Sequence, residues 1–290
     1  PAVVRLIQLR FPGLIPNMVP IDPPYITAAK MFYRDRFHLL GIPRERVGLF
    51  FITPCPAKIT EVKNKTKEDG YWVDGAIPIS SIFGELKHSL NTLPLDDSIL
   101  RTTGVGVGWA RSGGENVAIK IENAMSVDGI HNVVSLLEEI EMNKLPEIDY
   151  IEAMACPEGC VGGALTVENP FVARVGIRKL AEKFKDNELR PEVLKLGRSL
   201  ASESFFDNKE QLAAKLALQL DKDLGVAIKK MEKIEEIITT LPGLDCGACG
   251  SPTCRSLAED IVQEQAQLTD CIILLRDELV DLAQELLILA

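Results

Sequence analysis

Residues 47–61 read VGLFFITPCPAKITE, an apolar run that is followed at once by a cysteine and a charged segment. The run over residues 47–52 is short and continuous, which is typical of a buried β-strand. Cys55, Lys58 and Glu61 come just after it, and a loop that leaves a buried strand often carries functional side chains. The stretch therefore predicts a strand with chemistry at its carboxyl end.

Strand-like and helix-like patterns alternate along the chain on both sides of this stretch. Apolar residues at helical spacing predict one helix over residues 3–11 and another over residues 132–141. Short apolar runs at 117–121 and 148–151 predict further strands. Strand, helix and strand in this order indicate an α/β domain, which we expect to cover residues 1–200.

The pattern becomes entirely helical after residue 200. Apolar residues recur at steps of three and four between residues 208 and 241, which predicts one long helix or two helices broken at Gly225. We assign residues 201–240 to this linker. Residues 241–290 then form a small all-α domain with a long C-terminal helix.

The charge of the chain is concentrated in the same C-terminal part. The 290 residues carry a formal net charge of −10, and residues 201–290 hold 17 acidic against 8 basic side chains. An acidic surface repels both nucleic-acid phosphates and anionic lipid headgroups. No apolar run approaches the length of a membrane span. We therefore expect neither nucleic acid nor a membrane as a partner.

Seven cysteines fall in two groups along the sequence. An odd number in such groups differs from a disulfide framework and is typical of metal-binding thiolates in a reducing compartment. We therefore expect a cytoplasmic protein. The positions are Cys55, Cys156, Cys160, Cys246, Cys249, Cys254 and Cys271.

The C-terminal group begins in LPGLDCGACGSPTC, residues 241–254, and ends with Cys271. Its glycines permit unusual backbone angles, and Cys254 begins a predicted helix whose N-terminus favours a thiolate. Structural zinc sites usually pair two separated Cys-x-x-Cys units, which this spacing lacks. The spacing therefore favours a 4Fe–4S cluster, with zinc and free thiols as alternatives. The metal ligands we predict are Cys246, Cys249, Cys254 and Cys271.

Three of these segments resemble known motifs. Residues 242–254 resemble the small four-cysteine iron–sulfur domain found in several anaerobic redox proteins. Residues 53–61 and the segment EAMACPEGCVGG, residues 152–163, resemble the second and third active-site motifs of the iron-only (di-iron) hydrogenases. Without that resemblance, three thiols at strand ends are also explained as buried, inert cysteines. The resemblance implies a truncated iron-hydrogenase-like catalytic α/β domain followed by the iron–sulfur domain.

The resemblance implies a hydrogenase-type cofactor, a 4Fe–4S cluster joined to a di-iron subsite. It implies that Cys55 and Cys156 are ligands of the cluster and that Cys160 is the thiolate that bridges to the subsite. The family takes a further ligand from its first motif, which the resemblance places just before Pro1. We therefore expect a fragment that is inactive by itself, with the complete cofactor only in the full-length protein.

The resemblance also implies roles for three catalytic residues. Lys58 matches a lysine that donates a hydrogen bond to a cyanide, Met154 a methionine packed on the di-iron unit, and Glu61 a carboxylate that supports the lysine. Thr53 and Glu158 depart from the family pattern. These departures, together with the appended cysteine domain, resemble a divergent branch that is associated with hydrogen sensing.

The function implied is that of an oxidoreductase of anaerobes, which interconverts protons and hydrogen or senses hydrogen. Its partner would be an electron-transfer protein such as ferredoxin or a downstream signalling domain, and the C-terminal cluster would relay electrons or report redox state. The alternative is a non-enzymatic iron–sulfur signalling or scaffold module that has lost the hydrogenase chemistry.

The C-terminal helix carries a coiled-coil-like seam. Three heptads are the lower limit for such a pattern, so a helix packed on its own domain and a homodimer through the helix are both open. The apolar residues of the seam are Leu268, Ile272, Leu275, Leu279, Leu282, Leu286 and Leu289.

Overall fold

The computed structural model describes residues 1–65, 71–92, 102–208, 212–214, 220–221 and 223–289. Four strands lie in these ranges: β1 (Phe50–Thr53), β2 (Gly75–Pro78), β3 (Ala124–Asp128) and β4 (Tyr150–Met154). The helices of the described residues are α1 (Ala2–Arg10), α2 (Pro24–Arg36), α3 (Pro56–Asn64), α4 (Ile79–Thr92), α5 (Gly104–Gly108), α6 (Gly114–Ile119), α7 (Ile130–Glu141), α8 (Pro170–Lys183), α9 (Pro191–Ser202), α10 (Leu224–Thr240), α11 (Cys254–Val262) and α12 (Ile272–Leu289).

Two parallel strand pairs form the sheet structure of the described residues. Strand β1 pairs with β2 from Phe50↔Gly75 to Thr53↔Pro78, and β3 pairs with β4 from Ala124↔Tyr150 to Asp128↔Met154. A parallel pair needs a crossover, and α3 and α7 lie in the two connections. Each unit is therefore a strand–helix–strand unit whose strands end on the same side.

The core of the β3–β4 unit joins the beginning of the chain to α7. Leu6 and Phe11, in and just after α1, pack against Ile130, Val133 and Leu137, and all five are buried. The last three lie at helical spacing, so one face of α7 is covered. This packing fixes α1 beside the strand pair that ends at Met154.

A second core holds the C-terminal part together. Ile234 and Leu241, in and just after α10, pack against Leu257 and Ala258 of α11 and against the buried Cys271. Cys249 and Cys254 lie at the edge of this cluster. Three of the four predicted ligands therefore pack in or against a small helical core.

The expected α/β fold is confirmed. The predicted helices over 3–11 and 132–141 match α1 and α7, and the predicted strand at 148–151 overlaps β4. The apolar run at 47–52 forms its strand slightly later, as β1, and Phe50 and Ile52 are exposed. None of the described helices is both long and apolar enough to cross a bilayer.

The strand predicted at 117–121 is wrong, because this segment lies mostly in α6. Gly113 with φ 79° precedes the helix, and Lys120 with φ 60° ends it. These two residues with left-handed backbone angles limit the helix to a short segment. The spacing of apolar residues does not reveal such angles.

The linker helix begins later than the pattern from residue 208 predicts. Helix α10 starts at Leu224, and the side chain of Asp223 accepts a hydrogen bond from Val226 N at 3.0 Å, which caps the helix. Gly225 therefore lies in the first turn rather than at a break between two helices. Residues 209–211, 215–219 and 222 of the predicted pattern lie outside the described residues.

Candidate metal centres

The first cysteine group is built at the carboxyl ends of β1 and β4. Cys55 follows the end of β1 by two residues, and its amide donates a hydrogen bond to Thr53 Oγ1 at 3.1 Å. Cys55 is also the residue before α3, and its carbonyl accepts from Lys58 N at 3.2 Å. Cys156 follows the end of β4 by two residues. The two parallel units thus place corresponding cysteines at corresponding strand ends.

The loop that carries Cys160 packs against the loop that carries Cys55. Leu165 N donates to Pro54 O at 3.1 Å, and a Cβ at Gly163 would lie 2.4 Å from the same oxygen. Only glycine fits such a close approach of two backbones. The loops after β1 and β4 are therefore held together.

The surroundings of Cys156 disfavour its ionisation. Burial, together with charge on Cys55 and on Cys160, raises the pKa of Cys156 to about 12. A cationic metal group would reverse that penalty. The described structure brings together the loops that carry Cys55 and Cys160, and it does not hold three cysteine side chains at the spacing of ligands to one metal ion.

Lys58 lies beside aromatic rings rather than beside Glu61. Its Nζ is 5.3 Å from the ring centroid of Tyr25 and 5.7 Å from that of Phe51. Glu61 Oε2 accepts a hydrogen bond from Tyr25 Oη at 2.8 Å, and its Oε1 lies 3.4 Å from Lys65 Nζ. Burial and the charge of Glu61 raise the pKa of Tyr25, so this phenol stays a donor. Glu61 and Lys58 therefore both contact Tyr25.

Met154 ends β4 against the loop of Cys156 and Cys160. A Cβ at Gly159 would lie 2.6 Å from Met154 Sδ, and the φ of Gly159 is 83°. The glycine is therefore required both by the thioether beside it and by its own backbone angle. Sequence reasoning named Met154 but gave no sign of Tyr25, whose signal is only an aromatic residue on the α2 face.

The C-terminal group lines a single pocket. The pocket holds about 300 Å³ of space not filled by protein atoms, and Cys246, Cys249, Cys254 and Cys271 all contribute to its wall. No three acidic, histidine or cysteine side chains of the described residues are arranged as ligands of one metal ion. The observation on which the fit rests is therefore the donor set itself, four thiols without a disulfide around one small cavity.

The loop between α10 and α11 reaches this arrangement through left-handed residues. Positive φ angles occur at Gly243 (66°), Asp245 (45°), Gly247 (66°) and Gly250 (101°). Asp245 Oδ1 accepts a hydrogen bond from Cys254 N at 2.6 Å, which ties the two ends of the loop together. The loop therefore winds around the pocket instead of continuing either helix.

Burial disfavours the ionisation of two thiols of this group in the protein alone. Together with charge on Cys246 and Cys271, it raises the pKa of Cys249 to about 11. It also raises the pKa of Cys254, against the effect of backbone amides that donate hydrogen bonds to this thiol. Such thiols fit a group that supplies positive charge, as iron in an iron–sulfur cluster does.

Two family models match the chain over these two groups. Residues 1–120 and 110–164 match the model described as "Iron only hydrogenase large subunit, C-terminal domain", which together is more than half of the 290 residues. Residues 241–273 match the model described as "Putative Fe-S cluster". The expected resemblance is therefore confirmed for both parts.

The curated relatives match a short stretch of the chain. One component of the ion-translocating oxidoreductase complex of Rhodobacter capsulatus is 43% identical over 61 residues, which are 19% of this chain and 33% of that component. An uncharacterized protein of Methanocaldococcus jannaschii is 44% identical over 48 residues, 17% of this chain and 21% of that protein. The chain thus spans a third or less of the length of these relatives.

Solved structures of FeFe-hydrogenases share the fold. Two variants of the enzyme from Chlamydomonas reinhardtii superpose with a TM-score of 0.51 at 17% identity, over 74% of this chain and 74% of theirs. A structure from a study of oxygen inactivation of the H cluster gives 0.51 at 17% identity, over 74% of this chain and 73% of that one. At this identity the likeness concerns the fold.

Proposed function

The chain belongs to the family of the iron-only hydrogenase large subunit, C-terminal domain, and from this we propose that it is an iron–sulfur redox protein that turns over or senses hydrogen. The observation that supports the proposal is that Cys55 and Cys156 each follow the end of a parallel strand unit by two residues, with the loop of Cys160 held against the loop of Cys55. In this proposal residues 1–200 are the hydrogenase-like domain, 201–240 the linker and 241–290 the iron–sulfur domain.

The residues of the first group take distinct parts in this proposal. Cys55 and Cys156 would hold a 4Fe–4S cluster and Cys160 would bridge to a di-iron subsite, a cofactor that interconverts protons, electrons and hydrogen when bound. Lys58, three residues after Cys55, places its Nζ over the rings of Tyr25 and Phe51. Because the chain offers three thiols here, we propose that it does not turn over hydrogen by itself.

The C-terminal group is proposed to hold a 4Fe–4S cluster that relays electrons or reports redox state. Four thiols line its pocket, and the segment 241–273 matches an iron–sulfur family model. The relative from Rhodobacter capsulatus is a component of an oxidoreductase complex, which supports an electron-transfer protein such as ferredoxin, or a signalling domain, as the partner. We place the protein in the cytoplasm, where free thiols persist.

Infrared spectroscopy of the full-length protein after maturation tests the proposal. We expect absorption bands of bound carbonyl and cyanide that are lost in Cys160→Ser and change in position in Lys58→Ala, since Lys58 is the cation near that group. Leu39→Ala, which replaces an exposed side chain away from both groups, should leave the bands unchanged. A matured protein that holds iron but shows no such bands would contradict the proposal.

The second candidate is an iron–sulfur signalling or scaffold module without hydrogenase chemistry. The departure at Glu158 favours it, because a buried glutamate with φ 63° stands in the cysteine loop. Iron at four atoms per chain together with absent infrared bands would support this alternative. Analysis of acid-labile sulfide separates an iron–sulfur centre from zinc in the C-terminal group.

A further inference from the structure

The loop of the C-terminal cysteines packs directly on the element that carries the first group. A Cβ at Gly250 would lie 2.7 Å from Ala57 Cα, in the first turn of α3. Gly247 lies over the start of α7, where its Cβ would be 3.5 Å from Ile130 Cγ1. No residue other than glycine fits Gly250 without moving α3, and its φ of 101° also requires glycine. The loop therefore rests on the turn that follows Cys55.

Polar contacts fasten the loop in this position. Thr60 Oγ1 donates to the carbonyl oxygen of Cys249 at 3.4 Å. Arg5 of α1 forms an ion pair with Asp260 of α11, and Ser251 Oγ donates to the same carboxylate at 2.8 Å. The side chains of Arg5 and Asp260 are 22% and 8% exposed, so this pair is shielded from solvent more than an ordinary surface pair. Asp260 thus joins α1, α11 and the cysteine loop.

We infer that the C-terminal cysteine loop forms a wall beside Cys55 of the first cysteine group, and that Arg5 holds this loop in place as a positioning residue. The two groups are then one adjoining unit rather than two separate sites. The identity of the cofactors in the two groups rests on the proposed function. The position of the loop rests on the contacts of Gly250, Arg5 and Asp260.

Amide hydrogen exchange on the full chain, purified without added metal or chelator, tests this inference. Arg5→Ala removes the cation from Asp260, so we expect exchange to become about tenfold faster in peptides covering 55–60 and 246–251. Arg10→Ala is the matched control, because Arg10 lies on the same helix and pairs with Glu138, away from the loop. Exchange in this control should equal that of the wild type.

A second variant disturbs the contact of the loop with α3 without changing α1. In Gly250→Ala the new Cβ meets the backbone of Ala57, so exchange should rise at 55–60 while α7 stays protected. Gly243→Ala is its control, since Gly243 also has a positive φ but no atom within 4 Å of its Cβ position. Equal exchange at 55–60 in Arg5→Ala, Gly250→Ala and both controls would overturn the inference. All variants are compared at equal iron content, so exchange reports the seating of the loop, and failure of the infrared experiment leaves this test intact.

Discussion

At the scale of single residues, Glu158 combines a strained backbone with a buried charge. Its φ is 63°, its side chain is 10% exposed, and Arg174 Nη1 lies 2.7 Å from its carboxylate. Arg174→Ala leaves this carboxylate buried without a cation, so the free energy of unfolding should fall by about 1–2 kcal/mol. Arg178→Ala, on an exposed position of the same helix, should change it by less than ~0.5 kcal/mol. Chemical denaturation measures both, and equal effects would contradict the role of the pair.

Two buried thiols make the stability of the metal-free chain depend on pH. Burial raises the pKa of Cys156 to about 12 and that of Cys249 to about 11, above the ordinary value near 9. Above that value the unfolded chain loses these protons while the folded chain keeps them, so stability should decrease from about pH 9 upward. Below it both states are protonated, and these thiols contribute no pH dependence.

Denaturation of the metal-free chain at several pH values, under reducing conditions, measures this slope. Cys156→Ala should reduce it, because one of the two raised thiols is gone. Leu39→Ala is the comparison, since it removes an exposed apolar side chain and no thiol. A wild-type slope that is flat between pH 9 and 11 would contradict the prediction. Metal binding must displace the same protons, so iron uptake should become tighter as pH rises.

At the scale of elements, the sequence predicts a helix well where a single apolar face repeats over several turns. Val133 and Leu137 in α7, and Leu257 and Ala258 in α11, are buried as their spacing indicates. The segment at 117–121 is too short for a period to show, and its helix is bounded by the backbone angles of Gly113 and Lys120. Such angles come from packing, which no periodic pattern encodes.

Helix α12 provides a prediction about association. Only its beginning packs on the C-terminal core, through Ile273 and Leu274, whereas Leu279 and Leu282 are 57% and 52% exposed. We expect a homodimer through the seam, so Leu279→Asp with Leu282→Asp should convert dimer to monomer in sedimentation, because a charge in a seam lacks a partner. The side chain of Leu289 lies outside the described residues.

The control for this experiment is Val280→Asp, an exposed apolar residue of α12 that lies off the seam. It should sediment as the wild type does. A wild-type chain that is monomeric at high micromolar concentration would remove the dimer hypothesis. Helix α12 would then belong to its own domain alone and would not join two chains.

At the scale of the whole molecule, a substitution that removes the C-terminal metal centre should also destabilise the C-terminal core. Cys254 and Cys271 are both ligand candidates and part of the cluster around Ile234 and Leu257. Cys254→Ser should therefore remove about one cluster's iron and sulfide per chain and lower the thermal stability of the C-terminal part. Cys55→Ser, in the first group, should keep that iron. A double variant that loses no more iron than Cys254→Ser or Cys55→Ser alone would contradict a local C-terminal centre.

The sequence predicts which cysteines belong to each group. It does not predict how the two groups lie relative to each other. Motif spacing shows which thiols belong to one loop, because ligands close in sequence must be close in space. The contact of Thr60 with Cys249 joins residues 189 apart, and that of Arg5 with Asp260 joins residues 255 apart. Such contacts depend on packing across the whole fold, and neither residue type nor spacing indicates them.

The pairing of Arg5 with Asp260 has a consequence for biosynthesis. Arg5 and Asp260 are separated by 255 residues, so Arg5 is translated well before its partner. At common rates of synthesis this interval is on the order of ten to fifty seconds. During that time the loops of Cys55 and Cys156 emerge without the wall that later covers them. Iron delivered by a maturation factor while the nascent chain is still attached would meet an open pocket, and the C-terminal cysteine loop, translated later, would close it.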